Sequence, residues 1–467
     1  MHGMIGTSGG YMGGFTRRQV VIGLAAGSVG ALIPVRFALG GGKDVAWLKG
    51  IDASGVPVDG GGATVLVNEP LTLRGGHFVN IKFAPAPGYF GPGPIFQAKD
   101  GTVIHENVSV NGFAGPGCKI LSNKEKGNSF IAIGECSYSD NGRKSLTTLS
   151  NSVDLRLTNR LEVVDASAFK PGQYIWLGDG KFKIKKIDKN SLFLESGELP
   201  YLIGAKVFNG GYDRCMPGQS VIGDADDRNG IRIGNGGYAW NIDTSNAKIT
   251  ASNNAWFGLF HHSKKYYGKQ LIENITSEMN GYCNIGMGFM NEGTIKNCIS
   301  KNAGNNCIDV FESKSAVDVT KNVVSGAGVD GIFVGGDGQV ARVYDNNVSD
   351  CRRIGILINA RHNPISNVFV KNNAVKNSGM NSLTLTGVEG GVVEDNKLEG
   401  SNIRQAIFLE KRKGLELTGH LTIENNYIVN SKNGDISTNY SGYGADSNAK
   451  VTIKNTKKAI VSGIEGY

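Results

Sequence analysis

Charge is sparse in this chain of 467 residues. Only 19% of positions are Asp, Glu, Lys or Arg, too few for a coiled coil or a helical solenoid. Cysteine is scarce as well: seven residues, an odd number, widely spaced and without a CxxC pair. They read as small buried apolar side chains rather than as a disulfide framework or a zinc site. The chain has no P-loop and no dinucleotide-binding glycine fingerprint opening a helix. No apolar run reaches the roughly 20 residues of a membrane span. Glycine is the exception to this scarcity, with 68 residues, about twice its usual share. The glycines keep no period of three, which excludes collagen. With 40% of residues hydrophobic and strand-like segments to the end, the chain is not of disordered composition. Its net charge of +8 is compatible with an anionic polymer as partner but falls short of a nucleic-acid footprint.

Residues 16–35 read TRRQVVIGLAAGSVGALIPV and are followed by Arg36. A paired arginine ahead of a short apolar stretch suits a signal h-region, with Ala38 and Gly40 at a plausible cleavage point. Thr16-Arg17-Arg18 resembles a twin-arginine export signal, although Ile22 and Gly23 stand where that signal often carries a base. The competing expectation for residues 1–40 is an anchoring tail that ties the protein to a larger assembly.

From about residue 242 the chain repeats itself. Asn-containing turns anchored on Asn274, Asn297, Asn322, Asn347, Asn373, Asn396 and Asn426 recur at a period too short for helical hairpins or propeller blades and without a leucine-rich signature. Each unit holds two or three short β-branched strands between Asn, Gly and Ser turns. An Asn kept at one corner can bond amide to amide along a stack. This pattern resembles the right-handed parallel β-helix of the pectate-lyase-like superfamily, and the resemblance covers most of 242–440.

The expected organisation is therefore all-β: first coils over 41–144, an inserted small antiparallel β domain over 145–208, the main helix over 209–440 and a C-terminal cap over 441–467. The insertion is read from 161–195, which alternates apolar and polar residues around Pro-Gly and Gly-Asp-Gly turns. Its lysines, Lys181, Lys183, Lys185, Lys186 and Lys189, read as a solvated strand face.

In a β-helix equivalent residues form columns, because coils stack about 4.8 Å apart. Leu259, Ile285, Ile308, Ile332, Ile356, Leu383 and Ile407 align as inward positions. Their outward neighbours are Phe260, Gly286, Asp309, Phe333, Leu357, Thr384 and Phe408. Three Phe on a solvated sheet suit sugar stacking or, equally, a side-domain or subunit contact. A second column, a few residues further on, contains His262, Asn291, Glu312, Asp337, Arg361, His362, Glu389, Glu410, Lys411 and Arg412. Asp330 sits at the turn before it. By alternation His261 points inward and is structural.

Carboxyls from Asp309, Glu312, Asp330 and Asp337 would supply the acid and base of glycoside hydrolysis, with Glu312 and Asp337 in adjacent coils as the expected pair. Elimination on a uronic acid would instead take Arg361, His362 or Lys411 as base. Substrate contacts would come from Phe260, His262, Phe333, Phe408, Glu410 and Lys411. Surface ion pairing explains charges in such a column equally well.

The resemblance implies a polysaccharide depolymerase, acting on an exopolysaccharide, capsule or O-antigen-like glycan. Its setting would be an exported bacterial enzyme or a phage tailspike, which the VDGGGATVLV opening also resembles. Tailspikes are usually trimers, which adds a homotrimer and a virion tail to the expected partners; nucleic acid and a membrane span are not expected. No cofactor is expected, except Ca2+ in the case of a lyase. The alternatives are a uronan C5-epimerase and a non-catalytic glycan-binding β-helix.

Overall fold

The computed structural model describes residues 57–142, 147–195, 214–223, 228–410, 415, 419–438 and 451–458, apart from short internal gaps, together with 35–36, 43–44 and 52–53. Within these residues every regular element is a strand, and the main sheet system is parallel from its first pairing to its last. It is a parallel β-helix.

The register follows the side chains. Leu259 pairs with Ile285, Ile285 with Ile308, and the column continues through Ile332, Ile356, Leu383 and Ile407. All seven are buried, each contributing roughly 1.5–3 kcal/mol of hydrophobic stabilisation. A shift of one residue would turn this column to solvent, so the register is strongly specified. The outward column follows the same pairing, from Phe260 through Gly286, Asp309, Phe333, Leu357 and Thr384 to Phe408.

Corners are built from two neighbouring positions. One takes a left-handed backbone, as at Asn274, Asn297, Lys321, Asp345, Asn372, Asp395 and Asn425, with φ of 53–57°; Asn and Asp tolerate this region best. From Lys321 onward the next position carries a buried Asn whose Nδ2 donates to the Oδ1 of the following coil: Asn322 to Asn346 (3.0 Å), Asn346 to Asn373 (3.0 Å), Asn373 to Asn396 (2.9 Å) and Asn396 to Asn426 (2.9 Å). This corrects the expected ladder. Asn346 belongs to it and Asn347 is exposed, while Asn274 and Asn297 are left-handed residues one position ahead of it. The cost of burying five amides is offset because each finds a partner in an adjacent coil.

A second ladder shows where the chain leaves the helix. Asn141 Nδ2 donates to Asn254 Oδ1 across 113 positions (3.0 Å), and Asn254 donates to Asn280 (3.0 Å). Strand Asn128–Ser137 likewise stacks in parallel on Trp240–Thr250. Between them lies an antiparallel sheet with its own small core of Leu161, Val163, Phe169, Ile175, Phe182, Ile184, Leu192 and Leu194. Its strands include Ser220–Gly223, which pairs with Tyr174–Leu177, so the insertion extends beyond residue 208. Lys183 and Glu195 form an ion pair there.

Coil stacking also reaches past both outer boundaries expected from sequence. Val451–Lys454 stacks on Leu421–Glu424, and Val35–Arg36 pairs in parallel with Val58–Asp59. Arg17 and Arg18 lie outside the described residues. No helix among the described residues is long and apolar enough to cross a membrane. Among the described residues six cysteines, Cys118, Cys136, Cys283, Cys298, Cys307 and Cys351, are buried thiols outside any disulfide.

Candidate functional site

Asp309 stands in an outward column yet is 9% exposed. Its neighbours explain how. Gly286 and Phe333 flank it in the coils on either side. Its Oδ2 accepts from the Cys283 thiol (3.4 Å) and from Asn306 Nδ2 (3.3 Å), while Oδ1 is buried without a hydrogen-bond partner. Burial raises the Asp309 carboxyl to about 6; the Cys283 and Asn306 bonds oppose the rise, Asp330 adds to it, and Arg361 lowers it. A buried carboxyl with one unpaired oxygen holds its proton far longer than an exposed one.

The two bonding partners come from one turn column, two residues ahead of the inward positions: Cys283, Asn306, then Asp330. Asp330 is fully buried. It accepts from Arg353 Nε at 2.7 Å and from Arg353 Nη2, and from the Ile354 N–H at 3.2 Å. Its own N–H donates to Asn306 Oδ1 (3.1 Å). Both carboxylate oxygens are thus engaged in an ion pair beneath the surface. The sequence placed Asp330 among the reacting carboxyls; in the structure its carboxylate is taken up by Arg353 and the Ile354 N–H, while its backbone N–H bonds Asn306, which in turn bonds the Asp309 carboxyl.

Glu312 lies on the same strand, Ile308–Thr320, where the register slips between Val310 and Ser313. Its φ of 58° is left-handed. Bulges of this kind re-aim side chains and cluster beside functional sites. Phe289, the equivalent residue one coil earlier, is left-handed as well (φ 56°). Glu312 Oε1 accepts from Arg361 Nη1, and the pair is half-exposed.

Asp337, the expected partner of Glu312, is tied to the next coil. Its Oδ1 accepts three successive backbone N–H groups, from Arg361 (3.1 Å), His362 (2.7 Å) and Asn363 (3.1 Å). Partial burial opposes ionisation, but these bonds outweigh it and hold the carboxyl below its ordinary range. Asp337 therefore fixes the turn that carries Arg361, and Arg361 in turn holds Glu312. The His362 main chain takes part, and its exposed side chain adds a favourable electrostatic contribution to the Asp337 carboxylate.

Aromatic side chains gather in the coils before Asp309. Trp256 stacks on Tyr282 (centroids 4.2 Å, interplanar 11°) and Phe257 on Phe260 (4.2 Å, 26°). Phe260, His262 and Phe311 are near-parallel at 5.6–6.3 Å, with Phe289 edge-on to His262 and Phe311. The Arg232 guanidinium sits 5.7 Å from the Phe260 centroid. Two glycines make the space. A Cβ on Gly286 would meet the Phe257 ring at 2.3 Å, and one on Gly288 the Phe311 ring at 2.2 Å. His261 faces inward as expected: its Nδ1 donates to the Ile233 carbonyl (2.9 Å) and burial lowers it to about 4.

Of the substrate-contact residues expected from sequence, Phe260 and His262 belong to this aromatic group. Phe333 adjoins Asp309, with its ring over Gly335. Phe408 lies four coils from Asp309 in the same column, about 19 Å at the usual strand spacing. Glu410 accepts from the Thr386 hydroxyl (2.9 Å), also remote from Asp309. Lys411 and Arg412 lie outside the described residues. Cys283, Asn306, Arg353, Trp256, Phe257, Tyr282, Phe289 and Phe311 were not anticipated. Their signal was a fixed offset: Trp256 and Tyr282 each precede an inward residue by three, Cys283 and Asn306 by two. Among the described residues no group of three or more His, Cys, Asp or Glu is placed to hold a metal ion.

The parallel β-helix is the class that this architecture defines. The chain matches no protein-family model and no curated protein. Among solved structures it is similar to the Gp54 tailspike of Acinetobacter baumannii bacteriophage AP22 in complex with capsular saccharide (11% identity, 84% of this chain, 74% of that one, TM-score 0.24). It is also similar to a family 28 exopolygalacturonase of Yersinia enterocolitica (10%, 89%, 78%, 0.31) and to the gp49 tailspike of Pseudomonas phage LKA1 (9%, 89%, 74%, 0.27). At such identities and scores these likenesses add nothing to the fold that the strand register establishes directly.

Proposed function

We propose that the protein hydrolyses glycosidic bonds of a polysaccharide at Asp309 and Glu312. The carrying observation is the contrast in surroundings of two carboxyls on one strand. Asp309 is buried, has one unpaired oxygen and is raised to about 6. Glu312 is half-exposed and bonded by a guanidinium. Glycoside hydrolysis needs this asymmetry: a protonated carboxyl to release the leaving oxygen and an ionised one to activate water or attack the anomeric carbon. In this reading Asp309 is the acid and Glu312 the base or nucleophile, with Arg361 holding the Glu312 carboxyl in place. Aromatic rings beside the pair suit the apolar faces of sugars.

Elimination is the less supported reading, because the Arg361 guanidinium already donates to Glu312. A bacterial exopolysaccharide, capsule or O-antigen is the proposed substrate class. The proposed setting is outside the producing cell, by export or on a virion tail, the latter as a homotrimer.

The test is incubation with a panel of bacterial polysaccharides and polygalacturonate, following reducing ends and absorbance near 235 nm. Reducing ends without absorbance, lost in Asp309→Asn and Glu312→Gln, are expected. Absorbance rising with the reducing ends would replace hydrolysis by elimination. Silence in both channels with retained binding would leave a glycan-binding protein.

A further inference from the structure

We propose that Asn306 and Cys283 are positioning residues for Asp309, fixing its carboxyl through a single oxygen from a turn column that the main chain of Asp330 braces. This rests on the proposed reaction at Asp309 and names what holds its acid.

Cys283 and Asn306 occupy equivalent places in adjacent coils, each two residues ahead of an inward isoleucine, and the two isoleucines, Ile285 and Ile308, pair in parallel. Both side chains are buried. From this column two donors converge on one atom: the Cys283 thiol at 3.4 Å and Asn306 Nδ2 at 3.3 Å both reach Asp309 Oδ2. Two donors on one oxygen fix the rotamer of the carboxyl and leave Oδ1 as the oxygen without a bond.

The far end of Asn306 decides which way its amide faces. An amide presents either its carbonyl or its NH2 group, and a backbone N–H can only donate. The Asp330 N–H takes the carbonyl (3.1 Å), which turns the NH2 group toward Asp309. Asp330 is itself tied on two sides: its carbonyl accepts from the Cys307 N–H (3.1 Å), and its carboxylate accepts from Arg353 and the Ile354 N–H. The support of Asp309 therefore comes from the coils before and after its own and reaches Arg353 one coil further.

An acid of this kind needs such support. Burial favours the neutral carboxyl and, acting alone on a fully buried group, raises it by as much as about 3–5 units. The bonds from Cys283 and Asn306 favour the ionised form and oppose that rise. A carboxyl that holds its proton too tightly does not release it to a leaving oxygen, and one that holds it too weakly has none to give near neutral pH. Cys283 and Asn306 keep Asp309 between these limits and aimed in one direction.

Asn306→Asp is the most direct test, because it keeps the acceptor for the Asp330 N–H and replaces the donor facing Asp309 by a carboxyl. Cys283→Ala removes the other donor and Cys283→Ser keeps one. Cys298→Ala, a buried thiol outside this column, controls for lost packing. On whichever polysaccharide of the panel is cleaved, the alkaline limb of the kcat/KM profile should move up by about one pH unit in Cys283→Ala and further in Asn306→Asp. The plateau should fall about 10-fold in both. Cys283→Ser should recover part of each effect, and Cys298→Ala should leave the limb in place. The same shift is readable without substrate: the pH range over which stability to urea declines should extend upward in Cys283→Ala, and the extension should vanish when Asp309→Asn is added. Activity lost with the limb unmoved, or stability lost equally at every pH, would overturn the positioning role while leaving the reaction intact. An extended stability range in a protein that cleaves no polysaccharide would keep Asn306 and Cys283 as the residues that hold Asp309 and sink the reaction.

Discussion

The Arg361 guanidinium donates to Glu312 across 49 positions of sequence, while its backbone N–H donates to Asp337. One residue thereby couples Glu312, the proposed base or nucleophile, to a turn-forming carboxylate. Arg361→Ala should lower kcat by about 10- to 100-fold in reducing-end assays, since Glu312 loses its fixed geometry. Stability should change by less than about 1 kcal/mol, because half-exposed ion pairs contribute little. Urea unfolding separates the two effects. Equal loss of activity and stability would contradict the assignment.

Asp309 links activity to pH in one direction. In the fold it keeps its proton up to about pH 6, whereas an unfolded Asp ionises near 4. Between these values the native state holds the extra proton, so stability falls as pH rises from about 4 to about 6 and stays lower above. Asp309→Asn removes this penalty. At pH 8 the variant should be more stable than wild type by as much as about 3 kcal/mol, and at pH 4 the two should unfold alike. The wild-type activity profile should decline above about pH 6, and the variant should be inactive throughout.

Asp337 is expected to be structural in its effect. Asp337→Ala leaves three N–H groups of the 361–363 turn without their acceptor, a loss of about 1.5–3 kcal/mol for bonds to a charged group. Its carboxyl is held below the ordinary range, so this stabilisation is present at neutral pH and is lost as pH falls through that lowered value. Asp337→Asn keeps an acceptor oxygen and should recover part of the stability and of the activity. Hydrogen exchange of the Arg361, His362 and Asn363 amides reads the turn directly.

The corner ladder should be intolerant of gaps. Asn373 donates to Asn396 Oδ1 and the Val343 carbonyl, and accepts from the Asn346 side chain and backbone. Asn373→Ala strands buried partners on both sides at about 1–3 kcal/mol per group. Thermal unfolding should show a loss of about 3 kcal/mol or more. Asn347→Ala, one residue beyond the ladder, should be nearly neutral.

Much of the helix was legible in the order of residues. Inward Leu259, Ile285, Ile308 and Ile332 and outward Phe260, Asp309 and Phe333 could be aligned because alternation has a period of two and each coil restarts it after a polar corner. The same local pattern could not distinguish Asn346 from Asn347: the two are neighbours, and which one enters the core depends on where the left-handed corner residue falls. The roles of the carboxyls were decided in three dimensions. Asp330, Asp337, Asp309 and Glu312 are alike as letters, yet one is enclosed by Arg353, one is seated on three backbone N–H groups, one is buried with a bare oxygen and one is held by a guanidinium. Local periodicity specifies which way a side chain points. Its protonation and freedom depend on burial and on partners 23 to 49 positions away, which only the stacking of coils brings together.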